Sequence, residues 1–208
     1  MQSEPLLLSI SLASASDLGV AMVEKFEQKV GLYVGRFQPL HKGHEYIIKT
    51  ALEQCDVLLV CIGSAQESNT PKNPFSYSAR AIMLADCFPD EYMSGKLIPI
   101  PIKDREHPSD DSSWGEYLIK EIHNYFGYPL TPNIVFEGKE IVRSTWYDTL
   151  DIERVALDRT KIDVSGTKIR DALARDDYEY YKNNCASGLG GKYIYNTLRE
   201  NIKNVKSN

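Results

Sequence analysis

Two histidines flank a lysine and a glycine in His41-Lys42-Gly43-His44, at the end of the segment Gly35-Arg36-Phe37-Gln38-Pro39-Leu40. Imidazoles at that spacing, on a turn that opens a helix, can both donate hydrogen bonds to one polyphosphate and stabilise charge as it develops. The neighbouring elements favour such a ligand. Val30-Gly31-Leu32-Tyr33-Val34 is short, apolar and β-branched, as a buried strand is, whereas Glu45 to Leu52 places apolar residues at helical spacing. A strand-to-helix junction offers orphan backbone N–H groups and the positive end of a helix dipole, and both attract an anion. Gly43 has no Cβ, so a phosphate oxygen can approach the main chain. As a metal site the histidine pair is incomplete, because no third ligand stands at a recognisable spacing.

A second motif lies far along the chain. Val164-Ser165-Gly166-Thr167-Lys168-Ile169-Arg170 again sets small residues, hydroxyls and cations at a helix start. Ser165 or Thr167 can cap that helix, Gly166 leaves room for phosphate, and Lys168 and Arg170 bring charge. Either motif alone is compatible with a surface histidine pair or a simply capped helix. Together they describe a triphosphate gripped from two sides. No convincing Ser-His-Asp or Cys-His set is present, and phosphoryl chemistry needs none, since it asks mainly for alignment and charge neutralisation.

The elements that must position these residues alternate. Strands are expected at Gly31 to Gly35, Val57 to Ile62, Leu97 to Ile102, Asn133 to Phe136 and Glu153 to Leu157. Helices are expected at Tyr77 to Phe88, with Ala79, Ile82, Met83 and Ala85 to Cys87 mostly inward, and at Ser113 to Phe126, with Tyr117, Leu118 and Ile122 inward. After Ile169 come a helix to about Arg175, an Asp/Tyr-rich stretch and a last helix from about Lys192 to Val205. This order predicts an α/β protein: a Rossmann-like open parallel sheet of about five strands, helices on both faces and right-handed crossovers. Residues 1–29 read as an N-terminal extension, 30–175 as the α/β domain and 176–208 as a small C-terminal helical extension of it. Gly188-Leu189-Gly190-Gly191 reads as a turn before the last helix; no strand precedes it and no Lys-Ser/Thr follows in register. In such a sheet the His41/His44 loop, the Gly63 loop, the Asp104 to Trp114 loop and the Ser165 segment should meet at the carboxyl ends of the strands.

A chain of 208 residues with a formal charge of −5 can bury a sizeable core, and its charge argues against a broad nucleic-acid or acidic-membrane surface. Cys55, Cys61, Cys87 and Cys185 form no Cys-x-x-Cys pair and are expected to be free thiols in a reducing compartment. Leu6 to Ala15 has the apolar run of a signal peptide, but Glu4 stands where a basic residue would be expected, so an extension and a cytoplasmic protein are expected. No run reaches the ~18 apolar residues of a membrane span.

The Gly35 to His44 segment with the late Ser165-Gly166-Thr167-Lys168-Ile169-Arg170 resembles the nucleotidyltransferase superfamily that carries a His-x-Gly-His signature. Cys61-Ile62-Gly63-Ser64-Ala65-Gln66, Lys72-Asn73-Pro74-Phe75-Ser76 with Arg80, and Ile98-Pro99-Ile100 leading to Asp104 and Trp114 narrow the likeness to archaeal-type nicotinamide mononucleotide (NMN) adenylyltransferases, from about Val30 to about Leu173. The resemblance implies that ATP and NMN, or nicotinic acid mononucleotide, give a dinucleotide and pyrophosphate with Mg²⁺ shielding the phosphates. It implies His41, His44 and Arg170 as catalytic. For ATP it implies Gly35, Arg36, Phe37, Gly43, Lys72, Ser165, Gly166, Thr167 and Arg170, with Lys72 where relatives commonly carry Arg. For NMN it implies Gly63, Ser64, Asp104 near the amide and Trp114 stacked on the ring. Association into rings of subunits is implied as well. Transfer to a flavin, pantetheine or cytidylyl substrate by the same chemistry, or a nucleotide sensor without turnover, are the alternatives.

Overall fold

The computed structural model describes residues 28–105, 113–138 and 145–206. Strands β1 (Val30–Gly35), β2 (Val57–Ile62), β3 (Leu97–Pro101), β4 (Ile134–Gly138) and β5 (Glu153–Leu157) form one sheet in the order β3-β2-β1-β4-β5, with every pairing parallel. The chain steps outward from β1 to β3 and then returns to β4 on the other side of β1. Strand order therefore reverses beside β1, the place where open α/β sheets bind ligands.

Helix α1 (Lys42–Leu52) joins β1 to β2, α2 (Tyr77–Cys87) and α3 (Pro89–Met93) lead into β3, and α4 (Trp114–Phe126) leads to β4. Helices α5 (Gly166–Arg175), α6 (Tyr178–Asn184) and α7 (Lys192–Lys206) follow the sheet. Both faces are covered, but unequally. Tyr33, Leu58, Val60 and Phe136 point into a large core shared with α1, α2, α5, α6 and α7, whereas Leu32, Val34, Leu59 and Val135 meet Leu118 and Ile122 of α4 and Tyr147. Such alternation within one strand follows from its period of two.

The expected strands and longer helices form to within a residue or two. The inward face of α2 is a correction: Ile82 is 60% exposed, while Arg80, Met83 and Leu84 are buried. The apolar count of α2 misplaced its stripe because the innermost side chain is an arginine. The Asp/Tyr-rich stretch is the helix α6, capped by Asp177, whose carboxylate accepts from Tyr180 N at 3.0 Å, and it buries Tyr181. Gly188 sits in the turn before α7 with φ +89°, and a Cβ there would come within 2.9 Å of the Asp86 carbonyl. Among the described residues no helix is long and apolar enough to cross a membrane. Residues 1–27, and with them nearly all of the N-terminal extension, residues 106–112 of the loop between Asp104 and Trp114, and residues 139–144 lie outside the described residues.

Candidate active site

His41 ends the loop after β1 in an extended conformation and N-caps α1; its carbonyl accepts the backbone N–H of His44 at 2.9 Å and of Glu45 at 3.0 Å. That turn forces the two imidazoles into a face-to-face stack, centroids 3.6 Å apart and planes 22° from parallel. The ring of His44 also meets the edge of Phe37 at 4.8 Å. Gly43 lets Arg159 and the His41 ring lie close: a Cβ would lie 2.6 Å from a guanidinium nitrogen of Arg159 and 3.2 Å from the His41 ring.

His41 is 2% exposed, and its Nδ1 is buried with no hydrogen-bond partner. A buried polar atom in this state calls for an explanation, and a catalytic role is one. Burial first, and then the Arg159 charge, push its pKa down to about 3. The folded protein thus keeps His41 neutral where an unfolded chain would protonate it near 6.5, so acid favours unfolding. This contribution to stability is expected to be complete above pH 6.5 and to decline as pH falls towards 3. Thermal unfolding of the parent and of His41→Asn across that range reads it as the difference between the two curves; parallel curves would refute it.

The opposite wall is the start of α5. Ser165 caps it, its Oγ accepting Lys168 N at 3.3 Å. A Cβ on Gly166 would come within 2.7 Å of the Gln38 carbonyl, so this glycine lets the two phosphate-type turns touch. Arg170 donates Nη1 to that carbonyl at 2.8 Å and Nη2 to Thr167 Oγ1 at 3.1 Å. Burial, and after it the charge of Arg36, lower the Arg170 pKa. The side-chain amide of Gln38 pairs with both backbone groups of Phe75, donating to its carbonyl at 2.8 Å and accepting its N–H at 3.0 Å.

Between the walls lies a cleft of about 220 Å³ bordered by Gly35, Arg36, Phe37, His41, His44, Arg159, Ser165, Gly166, Thr167 and Arg170. Three guanidinium groups line it and, among the described residues, no carboxylate does. Most of the motif residues expected to hold a polyphosphate are therefore brought together, but Lys72, exposed in the loop before α2, Gly43, buried beside the His41 ring, and Lys168, which donates to Asp163, are not part of this lining. Arg159 is the addition that sequence reasoning missed. It is a lone cation in a polar loop, and only its place just beyond β5, at the carboxyl end of the sheet, could have flagged it.

Next to the cleft, β2 is followed by Gly63 and Ser64. Gly63 N donates to the Gly35 carbonyl at 2.9 Å. Asp104 accepts from Ser64 Oγ at 3.1 Å and from Gln66 Nε2 at 3.0 Å, so Ser64 and Asp104 stand together as expected. Beneath them Arg80, 0% exposed, donates to the carbonyls of Arg36 (2.9 Å), Gly63 (2.7 Å) and Ser64 (3.1 Å), and through Nε to that of Ser76 (3.2 Å). Burial pushes its pKa down to about 10. Its partners are main-chain oxygens rather than an acid or a ligand. Trp114, half-buried at the start of α4, stacks on Trp146 with centroids 4.1 Å apart and planes at 28°. Gly115 permits that stack, since a Cβ there would collide with the Trp146 carbonyl.

Residues 32–172 match the cytidylyltransferase-like family. The nicotinamide-nucleotide adenylyltransferase of Methanospirillum hungatei is 35% identical over 147 residues, 70% of this chain and 76% of that one. The enzyme of the same name from Pyrococcus furiosus is 46% identical over 118 residues, 55% of this chain and 56% of that one, so here the match spans about half of the relative. A bifunctional NMN adenylyltransferase/ADP ribose pyrophosphatase from Francisella tularensis, complexed with AMP and Mn ion, superposes with a TM-score of 0.57 at 20% identity, covering 83% of this chain and 52% of that chain. At that identity the likeness bears on the fold alone. The long family match and the Methanospirillum relative place the chain in the cytidylyltransferase-like family, among the nicotinamide-nucleotide adenylyltransferases.

Proposed function

We propose that the protein transfers the adenylyl group of ATP to the 5′-phosphate of NMN, forming NAD and pyrophosphate. The observation that carries this is the meeting of two helix starts, His41 to His44 and Ser165 to Arg170, across one carboxylate-free cationic cleft at the strand-order reversal. An oxygen of the NMN phosphate attacks the α-phosphorus in line, the bond to the bridging oxygen of the β-phosphate breaks, and pyrophosphate leaves. No covalent enzyme intermediate is needed. The His41 and His44 imidazoles donate to phosphate oxygens as charge shifts, Arg36, Arg159 and Arg170 neutralise it, and the α1 and α5 N-termini add backbone donors. Gly35 and Phe37 shape the loop over the nucleotide, and Gly43 and Gly166 let its phosphates approach. Lys72 would join only if its loop moves towards the cleft.

A divalent ion fits this lining as one carried by the phosphates, because the lining itself offers no carboxylate to hold it. Mg²⁺ is the ion we propose, shielding the β and γ oxygens when bound.

For the acceptor, Trp114 offers an indole face to the cationic pyridinium. Asp104, whose oxygens keep spare lone pairs, accepts from the carboxamide N–H beside Gly63 and Ser64 and would repel the carboxylate of nicotinic acid mononucleotide. NMN is therefore the preferred acceptor. Trp114→Ala is expected to raise KM for NMN by about 10-fold while KM for ATP changes little, as loss of a stacking contact worth ~1–2 kcal/mol requires. Equal disturbance of both constants would return Trp114 to a packing role.

The free thiols fit a reducing cytoplasm. A homo-oligomer belongs to this reading, and light scattering would size it. The deciding experiment is NAD formation from ATP and NMN, measured beside nicotinic acid mononucleotide, FMN and phosphopantetheine as acceptors and CTP as donor. Fastest turnover with NMN is expected. Tight ATP binding with no turnover on any acceptor would make the protein a sensor.

A further inference from the structure

The turn that bears both imidazoles is tied at its two ends to a single short segment far along the chain. At the front, the backbone of His41 forms an antiparallel bridge with Cys185. At the back, Glu45 reaches the same segment: its carboxylate accepts the backbone N–H of Ser187 at 2.9 Å through one oxygen and Lys49 Nζ at 2.6 Å through the other. Glu45 is only 6% exposed, and Cys185 and Ala186 are buried. The segment is fixed in turn from beyond, since Tyr181 donates its hydroxyl to the Leu189 carbonyl at 2.7 Å and Tyr178 donates to that of Gly190 at 2.9 Å. These tyrosines belong to α6, which packs on α5, the helix that starts at Ser165.

A carboxylate in the first turn of α1 is costly where that turn is to receive a polyphosphate. Its negative charge opposes the ligand, and its burial demands hydrogen-bond partners. Capping α1 does not explain it, because the side chain turns outward to Ser187. We infer that Glu45 is a positioning residue, holding the His41–His44 turn in register against the Cys185–Ser187 segment. That segment lies beyond residue 172, where the family match ends. The two phosphate-gripping helix starts are thereby braced against each other from behind as well as through the Arg170 to Gln38 contact at the front. An imidazole displaced by ~1 Å loses much of its transition-state benefit while ground-state affinity persists.

This inference rests on the adenylyl transfer proposed above, and its test has one arm that needs no turnover. Glu45→Ala is expected to lower kcat for NAD formation about tenfold or more with the KM values for ATP and NMN within about threefold, the split that a misaligned group produces. Glu45→Gln keeps the acceptor for Ser187 N–H and drops the charge; it should restore kcat and lower KM for ATP. In the free protein the imidazole ¹⁵N resonances of His41 and His44 should shift in the alanine variant and not in the glutamine one. Should the alanine variant fail to fold, Glu45→Asp, whose carboxylate is drawn back from Ser187 by one methylene, is expected to behave in the same direction. Unmoved resonances together with kcat within twofold of the parent would overturn the inference, as would loss of kcat that tracks only a lowered unfolding temperature. If the parent makes no NAD, the adenylyl-transfer reading fails, and the resonances alone still decide the role of Glu45.

Discussion

Replacing His44 by alanine is expected to lower kcat for NAD formation by about 10²-fold or more, the usual cost of deleting one preorganised donor from developing charge. The KM values for ATP and NMN should move far less. His44 stands one residue beyond Gly43, in the first turn of α1, where its ring is held between His41 and Phe37. A donor fixed so firmly needs no reorganisation when the transition state forms, and this is what separates its effect on rate from its effect on binding. The alanine removes one wall of the stack as well, so His44→Gln, which keeps bulk and a donor, should fall between. Steady-state kinetics of the two variants check the expectation; an unchanged kcat in His44→Ala would make the motif structural.

The second large effect is on stability. Arg80→Met keeps much of the buried volume but removes the guanidinium donors from the carbonyls of Arg36, Gly63 and Ser64, of which Ser64 keeps the Glu67 N–H at 3.1 Å. A buried carbonyl left unsatisfied costs roughly 1–3 kcal/mol. With the Arg36 and Gly63 carbonyls left so, the loss should be at least ~2 kcal/mol, which for a chain of this size lowers Tm by about 4–8 °C. Arg80→Lys should recover only part, because an ammonium cannot reproduce the planar fork that reaches several oxygens at once. Differential scanning calorimetry of both variants measures it, and a Tm within about 2 °C of the parent would show that solvent takes over the bonds. Catalysis should weaken in parallel, since the three carbonyls belong to the loops at the ends of β1 and β2, beside the proposed nucleotide site.

What the chain announces in advance is local. The β1–turn–α1 unit and the Ser165 cap are written in contiguous residues, whose types fix backbone conformation and charge together, and both form as the residues lead one to expect. Contacts between distant segments left little trace. Arg80 looks like the polar face of α2 until β1 and β2 supply the carbonyls that enclose it, and Ile82 consequently turns outward. Arg159 and the Glu45 to Ser187 bond are of the same kind: a lone charge becomes meaningful once the sheet order β3-β2-β1-β4-β5 brings its partner near. The α6 helix went unseen for another reason. Its aromatic and acidic residues have middling helix propensity, and burial of Tyr181 makes up the difference.

The stacked indoles of Trp114 and Trp146 are also the chain's entire complement of tryptophan. Near-ultraviolet emission excited at the red edge of the spectrum therefore comes from one spot, the proposed mouth of the nicotinamide subsite, undiluted by any other indole. Two chromophores held 4.1 Å apart also couple electronically, so their circular dichroism in the aromatic region depends on the angle between them. The molecule thus carries its own optical gauge, and if the proposed subsite is right, a pyridine nucleotide should change it in a titration without label, second substrate or turnover.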